Sequence, residues 1–320
     1  MIFLREAIIL VSAIFIIAAL LVFLSYICYL LTFYTDRRRH LDVYHGLSEE
    51  EIRGNEKKQF SRSLIDSLLK IPYERVYTKS HDSLTLSARY YHASDTAPLE
   101  IHFHGYKSIS VHDFSGGTTE AIRRGHNVLL VDQRAHGESE GRTISFGVKE
   151  REDVVAWCKW ATERLGENVR ISLAGISMGA ATVLMASELN LPENVVGIVA
   201  DCPFSYAPDV IGGVIRKMHL PPAVLLPFVR LGGRIFGGFD ICAASPKSAV
   251  TRTKIPILLI HGEGDMLVPA YMSDEIADVG RTVTLVKFAD AGHGLSFVFD
   301  NEKYLRALDD FYEKINLDNR

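Results

Sequence analysis

The stretch Val169-Arg170-Ile171-Ser172-Leu173-Ala174-Gly175-Ile176-Ser177-Met178-Gly179-Ala180-Ala181-Thr182 decides the fold. Residues 169–174 read as an apolar strand, and small residues open a helix predicted over 178–189. Between them Gly175 to Gly179 spell G-x-S-x-G, a turn tight enough to hold Ser177 in a strained backbone conformation. Gly175 and Gly179 let strand and helix approach without a Cβ clash. The helix N-terminus then points free N–H groups toward Ser177. A serine hydroxyl is a weak nucleophile, so this turn has catalytic meaning only with a base and an orienting acid nearby.

Outward from this turn, short β-rich runs alternate with helical segments. Residues 75–78 and 84–91 form a predicted hairpin around Ser80-His81-Asp82-Ser83. Further strands are predicted at 99–103, 127–131, 195–200, 257–260 and 282–288. Helices are predicted up to Arg124, over 148–165 and over 301–315. Strands alternating with helices mean a mostly parallel sheet covered on both faces, an α/β fold. The runs NVLLV, VVGIVA and PILLI suit strands buried on both sides. Residues 205–248 break the rhythm with three Gly-Gly pairs and with Pro221, Pro222 and Pro227. So long an interruption reads as an inserted cap or lid. One domain over 71–320 accounts for all of this, and no internal repeat is present.

The partners that Ser177 needs lie downstream. His261-Gly262-Glu263-Gly264-Asp265 follows the strand ILLI, and Ala291-Gly292-His293-Gly294 follows TVTLVKF. The order Ser177, Asp265, His293 is the order of the α/β-hydrolases. His104-Gly105-Tyr106-Lys107-Ser108 follows a strand as an HG-x loop. Asp132-Gln133-Arg134-Ala135-His136-Gly137-Glu138-Ser139 matches D-x-R-G-H-G-x-S with Ala135 in place of the glycine. With these four motifs in order, residues 73–316 resemble an α/β-hydrolase domain. They are most similar to the cytosolic or membrane-tethered bacterial enzymes of the monoacylglycerol lipase and serine aminopeptidase group. The Asp82-Ser83-Leu84 turn lacks the glycine that such relatives often carry.

The resemblance implies that Ser177 attacks a carbonyl, that His293 takes its proton and that Asp265 orients the imidazole. It implies that the backbone N–H groups of Tyr106 and Met178 bind the developing oxyanion, with His104, Gly105, Gly175 and Gly179 in support. No metal and no organic cofactor is expected. The expected reaction is hydrolysis of a carboxylic ester, lipid-like or acyl, through an acyl-enzyme. A serine aminopeptidase stays open, with Glu263 or Asp201 to hold the substrate amine, as does an acyl-protein thioesterase. In another class stands a catalytically silent binding module, although no triad member is missing. Asp201, at the end of VVGIVA, is the rival to Asp265.

Other residues carry plainer readings. His102 and His104 share a strand face without an evident third metal ligand. Asp132, Arg134 and His136 read as a network stabilising a turn. Cys202 reads as a small buried residue, and Trp157 and Trp160, at helical spacing, as core.

The rest of the chain concerns location. Of 320 residues 48% are hydrophobic, with 35 Lys+Arg against 39 Asp+Glu and a formal net charge of −4. That supports a full core and argues against a nucleic-acid partner. The four cysteines are too few for a disulfide scaffold and read as reduced thiols, with a Cys202–Cys242 bridge left open. Residues 7–31 carry no charge and span roughly 37 Å as a helix, enough to cross a bilayer. A cleaved signal peptide fits poorly, because the run is long and no small-x-small site follows it. Residues 1–35 are therefore expected to be a transmembrane anchor. Arg37, Arg38 and Arg39 just after it place the bulk of the chain in the cytoplasm. Residues 36–70 read as a charged linker, with a helix over 49–69 opened by a Ser48–Glu51 capping box and striped by Leu64, Ile65, Leu68 and Leu69. Between Pro208 and Phe239, Arg216, Lys217, Arg230 and Arg234 face a single acid, Asp209. They read as a solvated lid surface, or as the basic rim of an apolar channel at an anionic membrane through which acyl chains are taken.

Overall fold

The structure, a computed structural model, describes residues 2–36 and 42–317. Eight strands form one sheet in the order β1-β2-β4-β3-β5-β6-β7-β8. They are β1 (Glu74–Lys79), β2 (Thr85–Tyr91), β3 (Leu99–Phe103), β4 (Asn127–Asp132), β5 (Ile171–Ile176), β6 (Val195–Asp201), β7 (Ile257–Gly262) and β8 (Val283–Phe288). β2 runs antiparallel to both its neighbours, and the other pairs are parallel. All six residues of β4 are buried, as are all six of β7, because helices cover both faces. Leu129 and Val131 point into one core and Val128 and Leu130 into the other.

The helices are α1 (Ile2–Thr32), α2 (Glu49–Ile52), α3 (Glu56–Leu69), α4 (Ser110–Arg123), α5 (Glu150–Leu165) and α6 (Met178–Ala186). Then follow α7 (Ala207–Lys217), α8 (Pro222–Gly232), α9 (Pro246–Ala249), α10 (Tyr271–Val279), α11 (Ser296–Phe299) and α12 (Asn301–Lys314). α5, α6 and α10 feed one core, where Trp157 is fully buried and Trp160 packs at its margin. α3, α4 and α12 feed the other through Ile65, Phe114 and Phe311.

Several boundaries differ from those the sequence predicts. The linker helix is two helices. Gly54 takes φ +72°, and Asn55 restarts the chain by accepting from the Lys58 N–H at 3.1 Å. The Ser48–Glu51 capping box therefore opens a helix of one turn. β5 begins two residues late, because the Val169 N–H turns back to the Gly166 carbonyl at 3.3 Å. In the first hairpin Ser83 adopts φ +69°, a backbone conformation that favours glycine.

Between β6 and β7 the chain inserts α7, α8, a π-helical turn over Gly233–Gly237 and α9. α1 packs its last turns on this insertion. Gly232 makes the approach possible: a Cβ there would lie 2.3 Å from the Ser25 carbonyl oxygen. Cys28, Tyr29 and the fully buried Phe33 join Val229, Phe239 and Met178 in a third core. Past the helix, the Phe33 carbonyl accepts from Ile144 N–H at 2.8 Å, and the Thr35 N–H donates to the Arg142 carbonyl at 3.0 Å. Over Phe3–Thr32 the helix is long and apolar enough to cross a membrane, and its upstream side chains are exposed. Arg37, Arg38 and Arg39, on which the predicted orientation rests, lie outside the described residues. All four cysteines are free thiols.

Candidate active site

Ser177 stands between β5 and α6 at φ +57° and ψ −117°, a combination that costs a non-glycine residue energy and that the packing around it enforces. The two flanking glycines have different reasons. A Cβ on Gly179 would lie 1.8 Å from the Phe103 carbonyl oxygen, and one on Gly175 would lie 2.4 Å from the Gly179 carbonyl carbon. The turn is thus wedged between its own helix and the end of β3.

The loops after β7 and β8 bring in the two other groups. His293 Nε2 lies 2.9 Å from Ser177 Oγ, and His293 Nδ1 lies 2.6 Å from Asp265 Oδ2. The other Asp265 oxygen accepts from the N–H groups of Leu267 and Val268 at 2.8 and 2.9 Å. Burial alone would raise this carboxyl; hydrogen bonds from His261, His293 and the Val268 N–H overcome that and hold it well below the usual carboxylate range. Asp265 is therefore an anion at neutral pH, and its contact fixes the proton of a neutral His293 on Nδ1. Nε2 is then free to accept from the serine hydroxyl.

Asp201 is also buried at the site but makes no such contact. Its carbonyl accepts the Ser177 N–H at 2.8 Å, while its Oδ1 finds no partner among the described residues. Burial pushes its carboxyl up to about 6. Glu263 is exposed. Cys202 packs beside Asp265 and His293, buried, with its thiol pushed well above its usual range by burial.

The loop after β3 is held from three sides. His104 Nδ1–H donates to the Gly105 carbonyl at 2.8 Å, and its Nε2 accepts the Gln133 N–H at 3.1 Å. The Gly105 N–H donates to Asp113 Oδ2 at 2.7 Å, and the Lys107 N–H to His136 Nε2 at 3.0 Å. Burial and the neighbouring His104 push the His136 imidazole down to about 3, so it is neutral and keeps that acceptor. A Cβ on Gly105 would lie 3.4 Å from Ser177 Cβ, so the loop runs directly past the serine. The N–H groups of Tyr106 and Met178 find no acceptor among the described residues.

His102 serves the core. Its ring stacks on Phe114 and bonds to Thr118 and Glu100. Arg134 is fully buried and clamps Asp82 to Asp153. Ala135 takes φ +66°, the position where the resembling motif carries glycine. The sequence reading missed Asp113, which shapes the loop from the first turn of α4, and, although it predicted the N-terminal helix, it missed that the end of α1 lines the site. Cys28, Leu31 and Thr32 reach the site although they precede Ser177 by more than a hundred positions; the one local hint was the Gly232-Gly233 pair against which α1 packs.

Two cavities meet at Ser177. One of about 620 Å³ is lined by His45, Lys57, His112, Phe297 and His293. The other, about 360 Å³ and mostly apolar, lies under the insertion and is lined by Met178, Phe204, Ile211 and Val229. A nucleophile flanked by an apolar slot and a roomier, more polar one can hold a substrate with two unlike halves.

The comparisons with known proteins agree with the fold. A profile of the X-Pro dipeptidyl-peptidases (S15 family) matches residues 68–217. The uncharacterized protein YqkD of Bacillus subtilis (strain 168) is 29% identical over 197 residues, which are 60% of this chain and 64% of YqkD. The match thus spans less than two thirds of that relative's length. Among solved structures, the Pyrococcus furiosus esterase Pf2001 is similar over 78% of this chain and 93% of its own, at 26% identity and a TM-score of 0.63. The esterase EaEST of Exiguobacterium antarcticum covers 74% of this chain and 99% of its own at 15% identity, with a TM-score of 0.57, a likeness of fold.

Proposed function

We propose that this chain is a serine hydrolase of the α/β-hydrolase superfamily, anchored in a membrane and acting on lipid-like carboxylic esters. One observation carries the reading: the unbroken line from Asp265 through His293 to Ser177 at 2.6 and 2.9 Å. Ser177 Oγ attacks the ester carbonyl as His293 Nε2 takes its proton. The tetrahedral oxyanion is received by the N–H groups of Tyr106 and Met178, each donor of this kind being worth about 10²–10³ in rate. His293 then protonates the alcohol, which leaves the acyl group on Ser177. Water, deprotonated by the same imidazole, releases the acid. Asp265 stays ionised throughout and stabilises the imidazolium.

The substrate class follows from the two cavities. The acyl chain takes the apolar slot under the cap, and the alcohol the larger cavity lined by His45, Lys57 and His112. Anchoring is supported by how α1 ends: cleavage after the apolar run would strip Cys28 and Tyr29, both buried, out of the core under the cap. The arginines at 37–39 favour a catalytic domain on the cytoplasmic side.

The full chain in detergent, treated with a fluorophosphonate and read by intact mass, tests this. Single labelling of the parent and none of Ser177→Ala supports it; a folded parent that does not label refutes the hydrolase assignment. The S15 match favours a second reading, a peptidase. It ends at residue 217, before Asp265 and His293. Turnover of an X-Pro p-nitroanilide that exceeds that of acyl esters would replace the ester assignment.

A further inference from the structure

The apolar slot has a wall that the hydrolase domain does not supply. Cys28, Leu31 and Thr32, from the last turns of α1, line it together with Tyr106 and Ser177. Its mouth is rimmed by Leu31, Val214, Met218, Leu220 and Leu267, all of them lining residues and all between 40% and 69% exposed. A contiguous apolar rim facing water is unfavourable, and soluble surfaces rarely carry one. Here the rim continues the exposed apolar surface of α1, so slot and membrane helix present one apolar face.

The end of α1 is also fixed to the catalytic loop. The last carbonyls of any helix lack intrahelical donors. In α1 they are met from the site: the Tyr106 hydroxyl donates to the Thr32 carbonyl at 2.7 Å, and Lys107 Nζ to the Leu31 carbonyl at 3.2 Å. Tyr29 Oη shares a hydrogen bond of 2.7 Å with Thr143 Oγ1, and Gly232 holds α8 against Ser25. The helix therefore ends in one place relative to Ser177.

We propose that the last turn of α1 is part of the acyl-binding site, and that the acyl chain of a bilayer-resident ester slides along α1 into the slot without crossing water. Leu31, at the mouth, then sets how much chain is admitted. This rests on the hydrolase reading above and adds to it the source of the substrate and a specificity-determining residue outside the hydrolase domain.

The test uses the full chain in phosphatidylcholine nanodiscs and p-nitrophenyl butyrate, octanoate, laurate and palmitate. The quantity read is the ratio of kcat/KM for palmitate to that for butyrate. Leu31→Trp narrows the mouth and is expected to lower the ratio at least tenfold, since each methylene kept in water forgoes about fourfold. Leu31→Ala widens it and is expected to move the optimum to longer chains. Ile17→Trp, on the exposed side of the same helix, is expected to leave the profile unchanged. An unchanged ratio in both Leu31 variants overturns the proposal, as does an equal shift in Ile17→Trp, which would reflect partitioning into the bilayer. Should Leu31→Trp fail to fold, Leu31→Ala alone decides in the same way. Failure of the parent to label with fluorophosphonate is a separate result and strikes the hydrolase reading instead.

Discussion

Acid is expected to loosen the catalytic loop through one buried side chain, His136. Its Nδ1–H is committed to the Arg134 carbonyl at 2.9 Å, and its Nε2 must accept from the Lys107 N–H, one residue beyond Tyr106. A second proton on the ring turns that acceptor into a donor facing a donor. The unfolded chain protonates this residue near the ordinary value of 6.5, the folded chain only near about 3. Between those values the unfolded state binds more protons, so stability is full above pH 6.5 and falls as the solution is acidified. At roughly 1.36 kcal/mol per pH unit, the loss between about pH 7 and pH 4.5 attributable to His136 is about 2.5 kcal/mol. For a domain of this size that corresponds to roughly 5–10 °C in Tm. Carboxyls held low, such as Asp265, add a loss of the same sign at the acid end, while Asp201, pushed up to about 6, acts in the opposite sense, so the contribution is isolated by difference. His136→Gln keeps an acceptor within reach of Lys107 but cannot take up the proton. Thermal unfolding of parent and variant in one detergent across this pH range should show the variant less stable at neutral pH and its Tm falling less steeply with acid. Parallel curves would refute the argument, because they would mean that His136 titrates alike in both states.

Three further outcomes are expected. Asp265→Asn removes the anion that sets the His293 tautomer and should lower kcat about 10⁴-fold with KM little changed; Asp201→Asn, which touches neither His293 nor Ser177 Oγ, should stay within about tenfold. A steady-state comparison in which Asp201→Asn is the worse variant would exchange the two roles. Gly179→Val pushes a side chain against the Phe103 carbonyl, a backbone group that cannot swing aside, and should destabilise by about 3 kcal/mol or more, read as lost soluble expression or a Tm lowered by several degrees. Phe33→Ala empties the fully buried contact between the end of α1, Phe146 and Phe239 and should cost roughly 3–5 kcal/mol, measured by denaturant titration of the full chain; a loss below about 1 kcal/mol would mean that α1 is not built into the domain.

Much of the molecule is a local matter and was open to reading from the chain. Short apolar runs such as NVLLV at 127–131 suit strands covered on both faces, and all six residues of the strand that forms there are buried. The turn at Ser177 is set by two glycines whose missing Cβ atoms make room for backbone, and the positions of Asp265 and His293 after successive strand ends follow from the fold class. What the chain could not reveal depends on which distant surfaces meet. Gly54 and Asn55 split a helix whose periodicity ran through them. Asp113 and His136 became supports of the Tyr106 loop because the parallel pairing of β3 with β4 brings the loops at their C-terminal ends together. Chain order already preferred Asp265 to its rival Asp201; what folding adds is the contact itself, with Asp265 Oδ2 2.6 Å from His293 Nδ1 and Asp201 Oδ1 without a partner among the described residues. The apolar N-terminal run determined by itself that a long helix forms. Only tertiary packing decided that its last turn lies against the insertion between β6 and β7 and beside Ser177, because the contact is made by a glycine, a buried phenylalanine and two helix-end carbonyls whose partners lie from 74 to more than 200 positions away.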